Sequence, residues 1–311
     1  MAIEIGPGWT IGGGISVSSP PSAPTEATAG WVSGGNPSST TTVNRITFAT
    51  DTATASIRGP LSTYTVGAGG AGNTTNGWVG GSSGSPNSSA VNRITYATDT
   101  ATTSVRGPLS AARFYIAAAG NTTDGWFGGG SPADRSLVDR ITYATDTSTA
   151  SVRGPLSSGR NSSAAAGTTT DGWFSGGGSP SGPVSTVDRI TYSNDTTTAS
   201  VRGPLAQDVR ALAASSDNTT YGWWAGGATI STVQRITYAT DTATASIRGP
   251  LSSSRGYFTS VGDNSYGWFA GGFTPRSTID RITYATDTAT ASVRGPLSAA
   301  VYSSAGTSGV Q

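Results

Sequence analysis

The sequence predicts an all-β fold, a six-bladed β-propeller with four antiparallel strands per blade. Three recurrent markers carry this reading. Arg-Ile-Thr begins at Arg45, Arg93, Arg140, Arg189, Arg235 and Arg281. Arg-Gly-Pro begins at Arg58, Arg106, Arg153, Arg202, Arg248 and Arg294, and Gly-Trp places Trp31, Trp78, Trp126, Trp173, Trp223 and Trp268. The markers recur at spacings of 45 to 50 residues. Self-similarity at such a period signals stacked units that bury a shared core, as in propellers and solenoids.

Each unit reads as four strands. In the third, Arg113–Gly120 is apolar and then small, and Gly125–Gly130 is an aromatic run stopped by glycines. Leu137–Thr145 is rich in β-branched and aromatic residues; Asp139, Ile141 and Tyr143 alternate with Val138, Arg140 and Thr142. Thr149–Gly154 is short and ends at Pro155, which cannot extend a ladder. No stretch shows sustained helical periodicity. Gly, Ser, Thr and Ala dominate and 11% of residues are charged, a bias shared with disordered chains, but eight Trp, eleven Tyr and seven Phe at fixed intervals argue for order.

The unit resembles the kelch repeat over roughly residues 30–306. Gly34-Gly35, Gly80-Gly81, Gly129-Gly130, Gly177-Gly178, Gly226-Gly227 and Gly271-Gly272 match its diglycine. Phe48, Tyr96, Tyr143, Tyr192, Tyr238 and Tyr284 match its third-strand aromatic. The Trp that opens the fourth strand of kelch repeats is missing, which implies a thinner, more polar outer edge. Blade one begins at its second strand. The resemblance implies that Ala299–Gly306 supplies the missing innermost strand and closes the ring.

Composition narrows the chemistry. The chain has no Cys or His, and all 18 basic residues are Arg. The neutral-pH proton shuttle, the thiolate and the Schiff-base amine are therefore absent. Galactose oxidase-like propellers use His and a Cys-linked Tyr for copper, so that chemistry is excluded. The non-repeating acids are Glu4, Glu26, Asp134, Asp208, Asp217 and Asp263, thin material for a paired-carboxylate glycosidase. No enzyme, cofactor or metal is expected. A net charge of +1 predicts no nucleic-acid partner, and no apolar run approaches the ~20 residues of a membrane span.

Repeated residues invite structural explanations. The six Gly-Trp tryptophans are expected between blades. Asn44, Asn92, Asp139, Asp188, Gln234 and Asp280, each ahead of Arg-Ile-Thr, are expected to hydrogen-bond between strands or blades. Asp51, Asp99, Asp146, Asp195, Asp241 and Asp287 are read as turn-formers that bond their own backbone.

Loops alternate between the faces of the disc. One face receives near-identical turns such as Ala-Thr-Asp-Thr-Ala-Thr. The other receives second-to-third connections of five to nine residues: 36–42, 82–90, 131–137, 179–186, 228–232 and 273–278. It also receives variable fourth-to-first connections. Loops on a rigid scaffold carry binding, and variation between repeats marks a binding face; drift in unconstrained loops is the alternative. The expected ligand-binding residues are Tyr64, Arg113, Phe114, Tyr115, Arg135, Arg160, Arg210, Arg255, Tyr257, Phe258, Phe273 and Arg276.

Two domains follow, an attachment segment with a Pro-rich spacer at 1–29 and the propeller at 30–311. Near-identical blades, Gly/Ser/Thr bias and a short segment ahead of a propeller resemble virion-associated proteins of tailed bacteriophages. That resemblance implies an extracellular virion location and a larger oligomeric assembly joined to other virion proteins through the N-terminal segment. It also implies a host-surface glycan or protein as ligand; a purely structural decoration protein is the alternative.

Overall fold

The structure, a computed structural model, describes residues 27–308. The attachment segment and spacer up to residue 26 lie outside the described residues, and Ala29 already belongs to a blade. Six four-stranded antiparallel sheets form the ring. From the axis outward, blade three comprises Ala117–Gly120, Asp124–Gly128, Val138–Thr142 and Ser151–Arg153. The strands are shorter than the sequence suggests. The inner strand starts at Ala117 because Arg113 to Ile116 form its approach, and the third strand ends in a 3-10 turn, Tyr143–Thr145.

Blade one joins both ends of the described chain. Ala305–Ser308 pairs with Ala29–Ser33, with Gly30 opposite Ser308 and Ser33 opposite Ala305. Half of the closing strand lies beyond the expected 299–306 span. It removes a bare sheet edge.

The core lies between blades. Each of six apolar clusters joins one blade to the next, as when Trp78 and Val91 of blade two meet Phe127, Ile141 and Tyr143 of blade three. Both faces of every sheet are covered, so the third strand buries consecutive residues rather than alternate ones: Val138, Asp139 and Ile141 are all buried. Each Gly-Trp indole stacks on the third-strand aromatic of the following blade at 3.8–4.0 Å between centroids, from Trp31 on Tyr96 around to Trp268 on Phe48. Burial pushes the phenols of Tyr96, Tyr143, Tyr192, Tyr238 and Tyr284 up from their ordinary value.

The turn aspartates have a different role from the one their sequence context suggests. Each carboxylate reaches the preceding blade instead of its own backbone. Asp146 accepts from Trp78 Nε1 at 2.8 Å and Arg93 Nη1 at 3.1 Å, with Arg106 Nε at 3.4 Å. The same latch recurs at every junction, and Trp268, Arg281 and Arg294 close it on Asp51. An indole N–H buried in apolar surroundings needs an acceptor, and a carboxylate shared with two guanidiniums supplies one.

The Arg-Gly-Pro glycine belongs to this junction. Gly107 N–H donates to Asp146 O at 2.8 Å, and a Cβ at Gly107 would fall 1.9 Å from Ser148 O. Any side chain there would push the blades apart.

The diglycine register also needs correction. Positive φ marks Gly176 and Gly177 in blade four, one residue ahead of the expected pair. In blade two the equivalent positions are Gly81 and Ser82, with only Gly81 at positive φ. The outer strands are thin as expected, with two or three residues, but not more polar at their centres. Ile57, Val105, Val152, Val201, Ile247 and Val293 stand 55–65% exposed there.

Candidate functional site

The variable connections converge around the axial mouth, and a closed ring of backbone hydrogen bonds holds them. Tyr115 N–H donates to Gly67 O, Gly67 to Ser303, Ser303 to Tyr257, Tyr257 to Ala211, Ala211 to Ser162, and Ser162 back to Tyr115. The six distances run from 2.5 to 3.0 Å. All six residues have positive φ, between 52° and 69°. A left-handed residue turns its N–H and C=O sideways toward the neighbouring blades. Gly adopts that conformation freely, whereas Tyr115 and Tyr257 hold it against steric cost.

Tyr115 and Tyr257 come from opposite blades, and their rings meet at 5.3 Å across the mouth. Phe114 packs edge-on against Tyr115 at 4.9 Å, and Phe273 against Tyr302 at 5.2 Å. Partial burial first, and then the facing Tyr257, push the Tyr115 phenol up. At the mouth two tyrosine rings thus meet over a backbone collar whose other members are Gly67, Ser162, Ala211 and Ser303.

Four of the expected ligand residues lie beneath this surface. Arg113, Arg160 and Arg255 are fully buried, and Phe258 is buried against Phe269. Arg113 Nη2 meets Asp139 at 2.8 Å, while its Nη1 donates to Gly129 O and Leu137 O. Arg160 pairs with Asp188 at 2.8 Å, and Arg255 with Asp280. Burial lowers the Arg113 and Arg255 pKa values, opposed by their aspartates. These arginines fix the stems of the variable loops from below.

The residue before Arg-Ile-Thr therefore has a structural role, as expected, and its identity follows its partner. Blades with Asp there have Arg in the connector. Blades with Asn44, Asn92 or Gln234 have Val301, Thr65 or Val209 instead. In those blades the amide oxygen accepts connector backbone N–H groups, as Asn44 does from Ser298 at 3.1 Å. This covariation was present in the sequence and is a signal that position-by-position reading misses.

The remaining expected residues reach the face. Tyr64, Arg210 and Phe273 are exposed; Phe114, Tyr115, Arg135, Tyr257 and Arg276 are half-buried. Among the described residues, which include all 18 arginines, fifteen arginines are ion-paired to Asp. Arg135, Arg210 and Arg276 are the three without a carboxylate partner, and all three stand on the variable face. Arg135 Nε donates to Pro132 O, and Arg276 Nη1 to Ser253 Oγ. Asp134 and Asp208 are the unpaired acids of this face, and Asp134 accepts from Asn161. On the opposite face Asp217 and Asp263 organise turns by accepting backbone N–H groups.

Among the described residues, no group of three or more His, Cys, Asp or Glu is arranged to hold a metal, and no helix is long and apolar enough to cross a membrane. Fold and site together define a six-bladed β-propeller with one face built of inter-blade latches and one that presents aromatic rings and arginines without a carboxylate partner. No family model matches the chain, and no match to it is found among curated proteins.

Proposed function

We propose that this chain is a non-enzymatic recognition module of a tailed-phage virion, whose variable face binds a host-surface glycan or protein. The observation that carries the reading is the division of the arginines. Fifteen serve the latches and stems, and the three without a carboxylate partner share one face with exposed Tyr64 and Phe273. Arg and aromatic residues are the side chains enriched at recognition surfaces. The kelch-like repeat supports a scaffold role, since propeller folds host many functions and the site decides. The N-terminal segment is assigned to contacts with other virion proteins within a larger assembly.

Loop exchange tests this function. Replacing all six second-to-third loops with that of blade five should abolish host-cell binding while the melting temperature stays within a few degrees. Undiminished cell binding would remove the assignment. A second reading, a decoration protein that contacts only neighbouring subunits, draws on the six exposed Ile and Val side chains of the outer strands. It predicts no cell binding at all.

A further inference from the structure

The mouth breaks six-fold symmetry in an ordered way. Around the collar, residues three blades apart match: Tyr115 with Tyr257, Ser162 with Ser303, and Gly67 with Ala211. One residue later Ser163 matches Ser304, and Ile116 matches Phe258. Neighbouring blades do not match. The mouth is therefore pseudo-two-fold about the propeller axis.

The second-to-third loops of blades three and six share one placement. Arg135 and Arg276 each stand three residues before a third strand, at Val138 and Ile279. The carbonyl of each accepts the next connector's backbone N–H, from Arg160 at 3.2 Å and Val301 at 3.0 Å, as the carbonyls of Ser88 and Val184 also do, so the shared feature is the arginine side chain. The other four blades place Thr40, Ser88, Val184 and Ile230 there.

A phenylalanine completes each half. In blade three Phe114 bridges Ser131; in blade six the aromatic stands on the other side of the equivalent bridge, Gly256 with Phe273. Opposite blades thus each contribute a Tyr, a Phe and an Arg without a carboxylate partner, Tyr115, Phe114 and Arg135 from one and Tyr257, Phe273 and Arg276 from the other, and the two tyrosines meet across the mouth.

The tyrosines are not needed for the collar. Gly67, Ala211, Ser162 and Ser303 close it with small side chains, and a bulky residue at positive φ is disfavoured. Their rings are the feature that repays the strain. A flat aromatic face suits the C–H face of a sugar ring, and an arginine fork suits a carboxylate or sulfate. Each half-site offers three side chains, far less than the ~800 Å² that a protein partner covers. Two copies of one small site call for a ligand that repeats its own chemistry.

We infer that the mouth binds a linear acidic polysaccharide laid across the axis, with an anionic sugar unit in each half-site. This rests on the variable face being the recognition surface. Binding both halves at once raises affinity through effective concentration.

Calorimetry with oligogalacturonates of graded length, and neutral dextran oligomers as control, tests it. Affinity should rise at least tenfold once the oligomer spans both half-sites, and dextran should bind at least tenfold more weakly. Arg135→Ala and Arg276→Ala, both at the rim, should each abolish the length gain to a similar degree without altering thermal melting. Equal binding of dextran, no gain with length, or full retention in either variant would overturn the proposal. If oligogalacturonate fails but cells still bind in a loop-dependent way, or if protease treatment of the cells removes that binding, the acidic-glycan site falls and the recognition face stands. If cells bind whatever loops are present, both fall.

Discussion

At the scale of single residues, identical side chains carry out different work according to what faces them. Arg93 and Arg113 are both paired with Asp, yet one latches two blades and the other props a loop stem. A buried ion pair is a poor source of net stability, but removing one partner leaves an uncompensated charge and costs about 3 kcal/mol or more. The chain contains its own neutral replacement, Val301 with Asn44. Arg113→Val alone should therefore lower the unfolding free energy by about 3 kcal/mol, and adding Asp139→Asn should recover at least half of that. Denaturant melts of the two singles and the double decide it; simple additivity of the losses would refute the matched-pair account. This pairing was legible in the sequence as covariation between repeats. The positive φ of Tyr115 was not, because nothing local marks a left-handed tyrosine.

At the scale of elements, the four-strand blade was readable because β-branched and aromatic runs ended at Gly and Pro. Strand ends were less so: Tyr143 continues the apolar alternation but turns into a 3-10 segment to stack on Trp78. The turn aspartates misled for a related reason. Asp in a Thr-Asp-Thr turn normally bonds locally, and only the packed neighbour supplies Trp and Arg donors strong enough to win. The closing strand was readable from a missing first strand in blade one. Removing residues 305–311 strips the inner strand from blade one and bares the edge of Ala29–Ser33. The shortened chain should lose its cooperative thermal transition or melt at least 10 °C lower. A truncation that melts with the full chain would show that closure contributes nothing.

At the scale of the whole molecule, the two faces divide the labour. The uniform face is uniform because each turn fits one latch, with its Asp held by Trp and two Arg and its backbone seated against a bare Gly. Loops on the variable face have no such constraint above the buried stems. The variable face was therefore legible in sequence, but its arginines without a carboxylate partner could be told from the structural ones only after pairing was known. Hydrogen–deuterium exchange on the propeller with and without a host envelope preparation tests the division most directly. The account predicts added protection in 36–42, 82–90, 131–137, 179–186, 228–232 and 273–278 and around Tyr115 and Tyr257. Protection confined to the Asp51, Asp99, Asp146, Asp195, Asp241 and Asp287 turns would contradict it.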